Sequence, residues 1–240
     1  MIKLDVIAIG AHPDDIELFV GGTLVKLSAL GHKTGVVDMV RGELGSRGSP
    51  QLRAREAAAS AKVLGVVVRE NLRLKDGQIF DTPDARMKVV KVLRKYRPTL
   101  VFTHYWDDKH PDHVYTSRIV TQACYLAGLA KIKTGQERFR PSKIFYFQLP
   151  YPVQPSFYVD VSAQYARKME AVRCFKSQLY DPNSTEPETY LSVPQFLSAH
   201  ENVDRYYGKL IQADYAEGFF CKDPIGIEDP VEFFGERGKK

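Results

Sequence analysis

The chain has 240 residues, 44% hydrophobic and 26% charged, with a formal net charge of +5. This composition belongs to an ordinary soluble globular protein with ample core material, and no run approaches the roughly 18–20 apolar residues of a membrane span. The length suits one α/β domain, alone or with a small extension.

The basic residues are spread along helix faces, with Arg237, Lys239 and Lys240 in a C-terminal tail. No aromatic–basic platform accompanies them, so nucleic acid is not an expected partner. The N-terminus opens directly into a strand without the charged, apolar and cleavage regions of a signal peptide, so a cytoplasmic location is expected. Cys124, Cys174 and Cys221 are far apart and form no Cys-x-x-Cys pair. They read as buried reduced thiols rather than metal or redox groups.

In chain order, residues 4–9 form an apolar first strand that exits into Gly10-Ala11-His12-Pro13-Asp14-Asp15-Ile16-Glu17. A helix is expected over 18–30, stopped by Gly31, then a β-branched strand over 34–40. Residues 41–50, rich in Gly and Ser, read as a mobile loop. An Ala-rich helix follows over 51–64, then a short strand within 66–74 that becomes irregular at Asp76-Gly77. Asp81 or Thr82 with Pro83 opens a helix reaching Tyr96, closed before Pro98. Residues 99–104 form an apolar strand whose exit, His104 to His113, is the second polar stretch, and a helix runs from about 114 to 129. This order predicts an α/β, Rossmann-like, mainly parallel sheet with helices on both faces. Beyond 135 the pattern changes to strands at 144–148 and 157–161, helices at 163–178 and 195–212, a loop at 181–194 and a final strand at 214–220. One domain is therefore expected: a core of about 1–134, a C-terminal α+β cap of about 135–232, and a tail of 233–240.

Three of the six histidines fall within His104 to His113. In a doubly wound sheet the loops after strand one and after its neighbour beyond the switch point face each other at the carboxyl ends of the strands. That would bring His12, Asp14 and Asp15 against His110, Asp112 and His113. Two imidazoles and a carboxylate are the donor set of a catalytic zinc site with an open position. Fe2+, Co2+ and Mn2+ fit the same donors. A metal-bound water can reach a pKa near about 7, and a free carboxylate beside it can take its proton. Asp14 and Asp15 are adjacent, so one can bind the ion while the other turns to the water. The competing reading is a pair of helix-capping turns with no ligand.

His12-Pro13-Asp14-Asp15 with His110-Pro111-Asp112-His113 resembles the paired signature of the zinc-dependent N-acetylglucosaminyl deacetylases, the LmbE-like or PIG-L family. Gly21-Gly22-Thr23, Arg41-Gly42-Glu43, Arg53 and Tyr215-Ala216-Glu217-Gly218-Phe219 extend the likeness along most of the chain. The resemblance implies His12, Asp15 and His113 as metal ligands and Asp14 as general base. It implies His110 as the group that stabilises the oxyanion or protonates the leaving amine, and Asp112 as the carboxylate that orients or charges that imidazole. Arg53 would hold the substrate. Asp-Asp-x-Glu and Tyr-Ala-Glu resemble the bacillithiol-biosynthesis subgroup, which implies N-acetylglucosaminyl malate as substrate and a homo-oligomer, often a hexamer. Two departures stand out. Ile16 separates Asp15 from Glu17, and Asp108 stands where some relatives supply a tyrosine to the oxyanion, leaving Tyr190 as a candidate for that contact.

Arg41, Glu43 and Arg47 are either sugar or carboxylate contacts or ordinary loop charges. Glu17 is either a carboxylate behind His12 or a favourable charge in a first helical turn. His104 and Trp106 flank the pocket wall, with core packing favoured for His104, whereas His32 and His200 read as surface residues. Gly21-Gly22 lacks the order of a dinucleotide-binding loop. The rival readings are a deacetylase of a chitooligosaccharide or thiol conjugate, and a non-catalytic Rossmann-like module holding a sugar or nucleotide.

Overall fold

The run Val6–Gly10 forms β1 and is buried at every position. Its side chains part by alternation, Ile7 and Ile9 into one core and Val6 and Ala8 into another, as the two-residue period of a strand requires. Six further strands complete the sheet: β2 (Thr34–Asp38), β3 (Val68–Asn71), β4 (Leu100–His104), β5 (Lys143–Phe147), β6 (Phe157–Asp160) and β7 (Ala216–Cys221). Their order is β3-β2-β1-β4-β5-β7-β6. From β3 to β5 neighbours run parallel, while β7 is antiparallel to both β5 and β6. The computed structural model describes residues 2–235; the tail charges Arg237, Lys239 and Lys240 lie outside the described residues.

Helices α3 (Pro83–Tyr96) and α4 (Pro111–Ala127) cover the face holding Ile7 and Ile9. The other face carries α1 (Asp15–Ala29), α2 (Pro50–Leu64) and α5 (Tyr165–Arg173). The C-terminal third extends the same sheet with its antiparallel strands, joined by α6 (Phe196–Leu210) and the short α7 (Pro230–Gly235). Among the described residues no helix is long and apolar enough to cross a membrane.

Two boundaries matter for the site. The first helix starts at Asp15 rather than at residue 18, and α4 starts at Pro111 rather than near 114. Pro111 occupies the first turn because its missing N–H is unneeded there. The ring of His110 caps that helix by accepting the Asp112 N–H at 3.2 Å. Elsewhere, α5 ends at Arg173, short of the expected 178, and turns carry the chain on to Gln178.

Two segments of the family likeness, Gly21-Gly22-Thr23 and Tyr215 to Phe219, meet each other. Glu217 on β7 accepts the N–H of Gly22 at 2.9 Å and of Thr23 at 2.8 Å. A Cβ on Gly22 would lie 2.8 Å from Val161 Cβ, so only glycine permits this approach. Lys168 Nζ, fully buried, sits 3.0 Å from Glu217 and 2.6 Å from Asp204. His200 is not a surface residue: its Nε2 lies 2.7 Å from the Leu18 carbonyl, beneath Phe19. This cluster fastens α1, whose first turn enters the site, to α5, α6 and β7.

Candidate active site

β1 has β2 on one side and β4 on the other, so the sheet reverses its winding between β1 and β4. The loops leaving both strands therefore open onto one crevice. Asp14 links β1 to α1 with φ 116°, a left-handed conformation that costs a non-glycine residue of order 1–3 kcal/mol. This turn sends adjacent carboxylates to different partners. Asp15 faces His104 and His113, and Asp14 faces Arg53.

His12, Asp15 and His113 each place one donor atom within 4.8 Å of the others. His12 Nδ1 lies 3.6 Å from Asp15 Oδ2, and His113 Nε2 lies 3.5 Å from Asp15 Oδ1. The opposite nitrogens face carboxylates. His12 Nε2 is 3.3 Å from Asp76 and 3.4 Å from Asp112, while His113 Nδ1 is 3.3 Å from Asp108. One nitrogen towards the centre and one towards a carboxylate is how proteins orient metal-binding histidines. His12, His110 and Asp112 form a second trio within the same spacing. There the His110 Nδ1 lone pair is already taken by the Asp112 N–H. Its Nε2 must carry the ring proton, which makes His110 a donor and unfits it as a ligand.

His104 packs behind the first trio. Fully buried, it stacks on His113 with ring centroids 4.1 Å apart. Its Nε2 accepts the Ala11 N–H at 3.0 Å, so its proton belongs on Nδ1, beside Gln148 Oε1 at 3.1 Å. The same Nε2 lies 3.1 Å from Asp15 Oδ2, which accepts the His12 N–H at 2.7 Å. Burial, aided by His113, holds the His104 pKa down at about 4 and keeps the ring neutral.

The charge balance agrees. Burial opposes ionisation of His113, but Asp15 and Asp108 outweigh it and hold its pKa up at about 9. His12 is likewise raised against its burial by Asp112, Asp15 and Asp76. Asp15, despite burial, is held well below the carboxylate range, chiefly by the charge of His113. Asp14 behaves oppositely. Burial lifts it to about 7 against the pull of Arg53, so this carboxyl can exchange a proton near neutrality.

The remaining candidates divide. Arg53 is buried, and its Nη2 donates to Asp14 Oδ2 at 2.9 Å and to the Pro13 carbonyl, while Nη1 donates to Gln178 at 2.9 Å. Gly42, at φ +73°, lies over its guanidinium. Only Nε lacks a partner, so no free fork is offered to a ligand here. The Asp112 carboxylate lies against His12 and the N–H groups of Gly77 and Ile79; it reaches His110 through its backbone N–H. Glu43 accepts the Arg41 N–H at 3.1 Å, and Arg41 is half exposed beside it. Arg47 is buried, bonded to the carbonyls of Ser177, Leu179 and Pro187, and so pins the expected mobile loop. Tyr190 is 80% exposed and packs edge-on against Phe196. Glu17 holds Ser60 and Arg69, not His12. Trp106 packs among Tyr105, Tyr146 and Phe220. Cys124 and Cys221 are buried and Cys174 is half-buried, all as free thiols.

The motifs point to neither the Asp76 contact with His12 nor the Asp108 contact with His113. Asp108 stands out in the sequence only as a departure from a relative's tyrosine, and Asp76 only as part of the Asp76-Gly77 turn.

Residues 7–124 match the PIG-L family, GlcNAc-PI de-N-acetylase. The diacetylchitobiose deacetylase of Thermococcus kodakarensis is 29% identical over 225 residues, 89% of this chain and 81% of that one. The crystal structure of the conserved protein TT1542 from Thermus thermophilus superposes with a TM-score of 0.86 at 37% identity, covering 95% of this chain and 98% of the other. A 4-carboxy-2-hydroxymuconate hydratase from Pseudomonas putida superposes with a TM-score of 0.80 over 95% of this chain and 99% of its own. At 20% identity, that likeness speaks for the fold alone.

Proposed function

The chain belongs to the PIG-L family, and from that premise we propose that it hydrolyses the N-acetyl group of a small N-acetylglucosaminide, releasing acetate and a free amine. The observation that carries this reading is the trio His12, Asp15 and His113 with Asp14 beside it, held by Arg53 rather than by the trio and able to exchange a proton near pH 7. A divalent ion held by the trio, Zn2+ or alternatively Fe2+, would act as a Lewis acid on the acetyl carbonyl and acidify water towards pKa about 7.

The protein groups supply the rest. Asp14 takes a proton from the attacking water as the new C–O bond forms. Arg53 fixes the direction of that carboxylate through its 2.9 Å contact. His110, its proton held on Nε2 by the Asp112 amide, donates to the developing oxyanion or to the departing nitrogen as the C–N bond breaks. His104 and Asp108 keep the His113 ring in place.

The narrower substrate, N-acetylglucosaminyl malate, is suggested by Glu17 and by the Tyr-Ala-Glu segment. Glu17 and Glu217 are both bonded inside the core, to Arg69 and to the backbone of α1, where neither meets a substrate. The malate glycoside thus stands beside N,N'-diacetylchitobiose, the substrate class named for the Thermococcus relative. Arg41 and Glu43 remain the proposed contacts for the part of the substrate beyond the acetylated sugar, and Tyr190, on the exposed 190–192 turn, remains the candidate for the second oxyanion contact. Acetate release from both compounds and from free N-acetylglucosamine, with and without chelator, tests the reading. Release from at least one glycoside that chelator abolishes supports deacetylation. No release from any of them, with metal supplied, contradicts it.

A further inference from the structure

We propose that Asp76 is a positioning residue for the metal ligand His12, and that it couples the loop carrying Arg41 and Glu43 to the metal centre; this rests on the metal reading above. Asp76 follows β3, two strands away from β1, and its loop crosses the carboxyl edge of the sheet to reach His12. The carboxylate is buried and divides its two oxygens. Oδ1 lies 3.3 Å from His12 Nε2, and Oδ2 accepts the Leu44 N–H at 2.9 Å. Glu43 Oε1 faces the Asp76 N–H at 3.5 Å, so the two segments hold each other from both sides. Next along the chain, the Gly77 N–H donates at 2.8 Å to Asp112, whose same oxygen is 3.4 Å from His12 Nε2.

The outward nitrogen of His12 thus meets two carboxylates. Asp112 is anchored on the first turn of α4, and Asp76 on the loop after β3, which is tied to Leu44 on one side and, through the Gly77 N–H, to Asp112 on the other. A carboxylate in this position fixes the tautomer and the ring plane and makes the inward nitrogen a better donor. Loss of such a partner typically lowers metal affinity by about 10–100-fold. Because Asp76 also binds the Leu44 amide, displacement of the 41–45 segment should be felt at His12.

The test measures Zn2+ affinity by competition with a chromophoric chelator, and the visible spectrum of the Co2+ form, for the wild type, D76N and D76A. D76N keeps an acceptor for the Leu44 N–H but removes the charge facing His12, so it separates the metal role from loop anchoring. The expected result is weaker Zn2+ binding by about tenfold in D76N and up to about 100-fold in D76A, with an altered Co2+ spectrum in both. Equal affinities and identical spectra in all three proteins would overturn the role of Asp76 while leaving the metal site intact. Absence of stoichiometric binding by the wild type would instead overturn the metal reading itself, and this proposal with it.

Discussion

Replacing Arg53 with methionine separates two roles for this side chain. In the structure Arg53 is bonded to Asp14, Pro13 and Gln178, which makes it a holder of the base. The family resemblance instead implies a substrate anchor. At about 4 Å and an effective dielectric near 20, a guanidinium–carboxylate attraction is of order 4 kcal/mol. At about 1.36 kcal/mol per tenfold step that is roughly three pH units, and water entering the space left by the guanidinium would reduce it to about two. Asp14 already titrates at about 7 because burial outweighs Arg53. Without the cation the carboxylate is harder to ionise, so the acid limb of the rate profile moves up by about two pH units. At pH 7.5 kcat should fall about 30-fold and recover towards pH 9–10. The assay is acetate release measured across pH with saturating metal. A variant with a raised KM, an unchanged kcat and an unmoved acid limb would refute the base-holding role and restore the substrate anchor.

K168M leaves Glu217 and Asp204 buried without their shared cation and should cost about 3–5 kcal/mol, read as a fall in Tm of roughly 10 °C by circular dichroism. A loss below about 1 kcal/mol would show that the clamp on α1 is unimportant. Burial, with Lys168 nearby, holds the His200 pKa down at about 3, so the folded protein refuses a proton that the unfolded chain accepts below about 6.5. Stability is therefore lost as pH falls from about 6.5 towards 3. H200Q keeps an N–H for the Leu18 carbonyl but does not titrate, so between pH 7 and 5 it should lose about 2 kcal/mol less than the wild type in urea unfolding. Parallel losses would contradict the buried neutral imidazole.

The sequence made the frame of the site legible because strand–helix alternation and the two His-Pro-Asp stretches are local signals. Their meeting follows from the switch point between β1 and β4. What it hid depends on long-range placement. Asp76 reads as a turn residue beside Gly77, and only the path of the loop over the sheet edge brings it to His12. His104 ends an apolar strand like any core residue, yet that strand end adjoins Asp15. Arg47 lies in a Gly/Ser-rich loop that suggests solvent and Arg53 just after it, whereas the 177–187 segment folds over the loop and buries both. His200 lies in an amphipathic helix whose pattern does not reveal that Leu18 presents a carbonyl to it. The helix starts moved because Asp15 and Pro111 are good first-turn residues, with Asp favoured by the positive helix end.

The most direct measurement is acetate release from N-acetylglucosaminyl malate and N,N'-diacetylchitobiose by wild-type protein, by protein stripped of metal, by stripped protein after Zn2+ or Fe2+ is restored, and by D14N with its metal content measured alongside. The account predicts turnover of at least one glycoside by the wild type, its loss on stripping and its return with metal. It also predicts that D14N, while retaining metal through His12, Asp15 and His113, is slowed by at least about 100-fold. Near-normal turnover by metal-loaded D14N, or by protein stripped of metal, would contradict it.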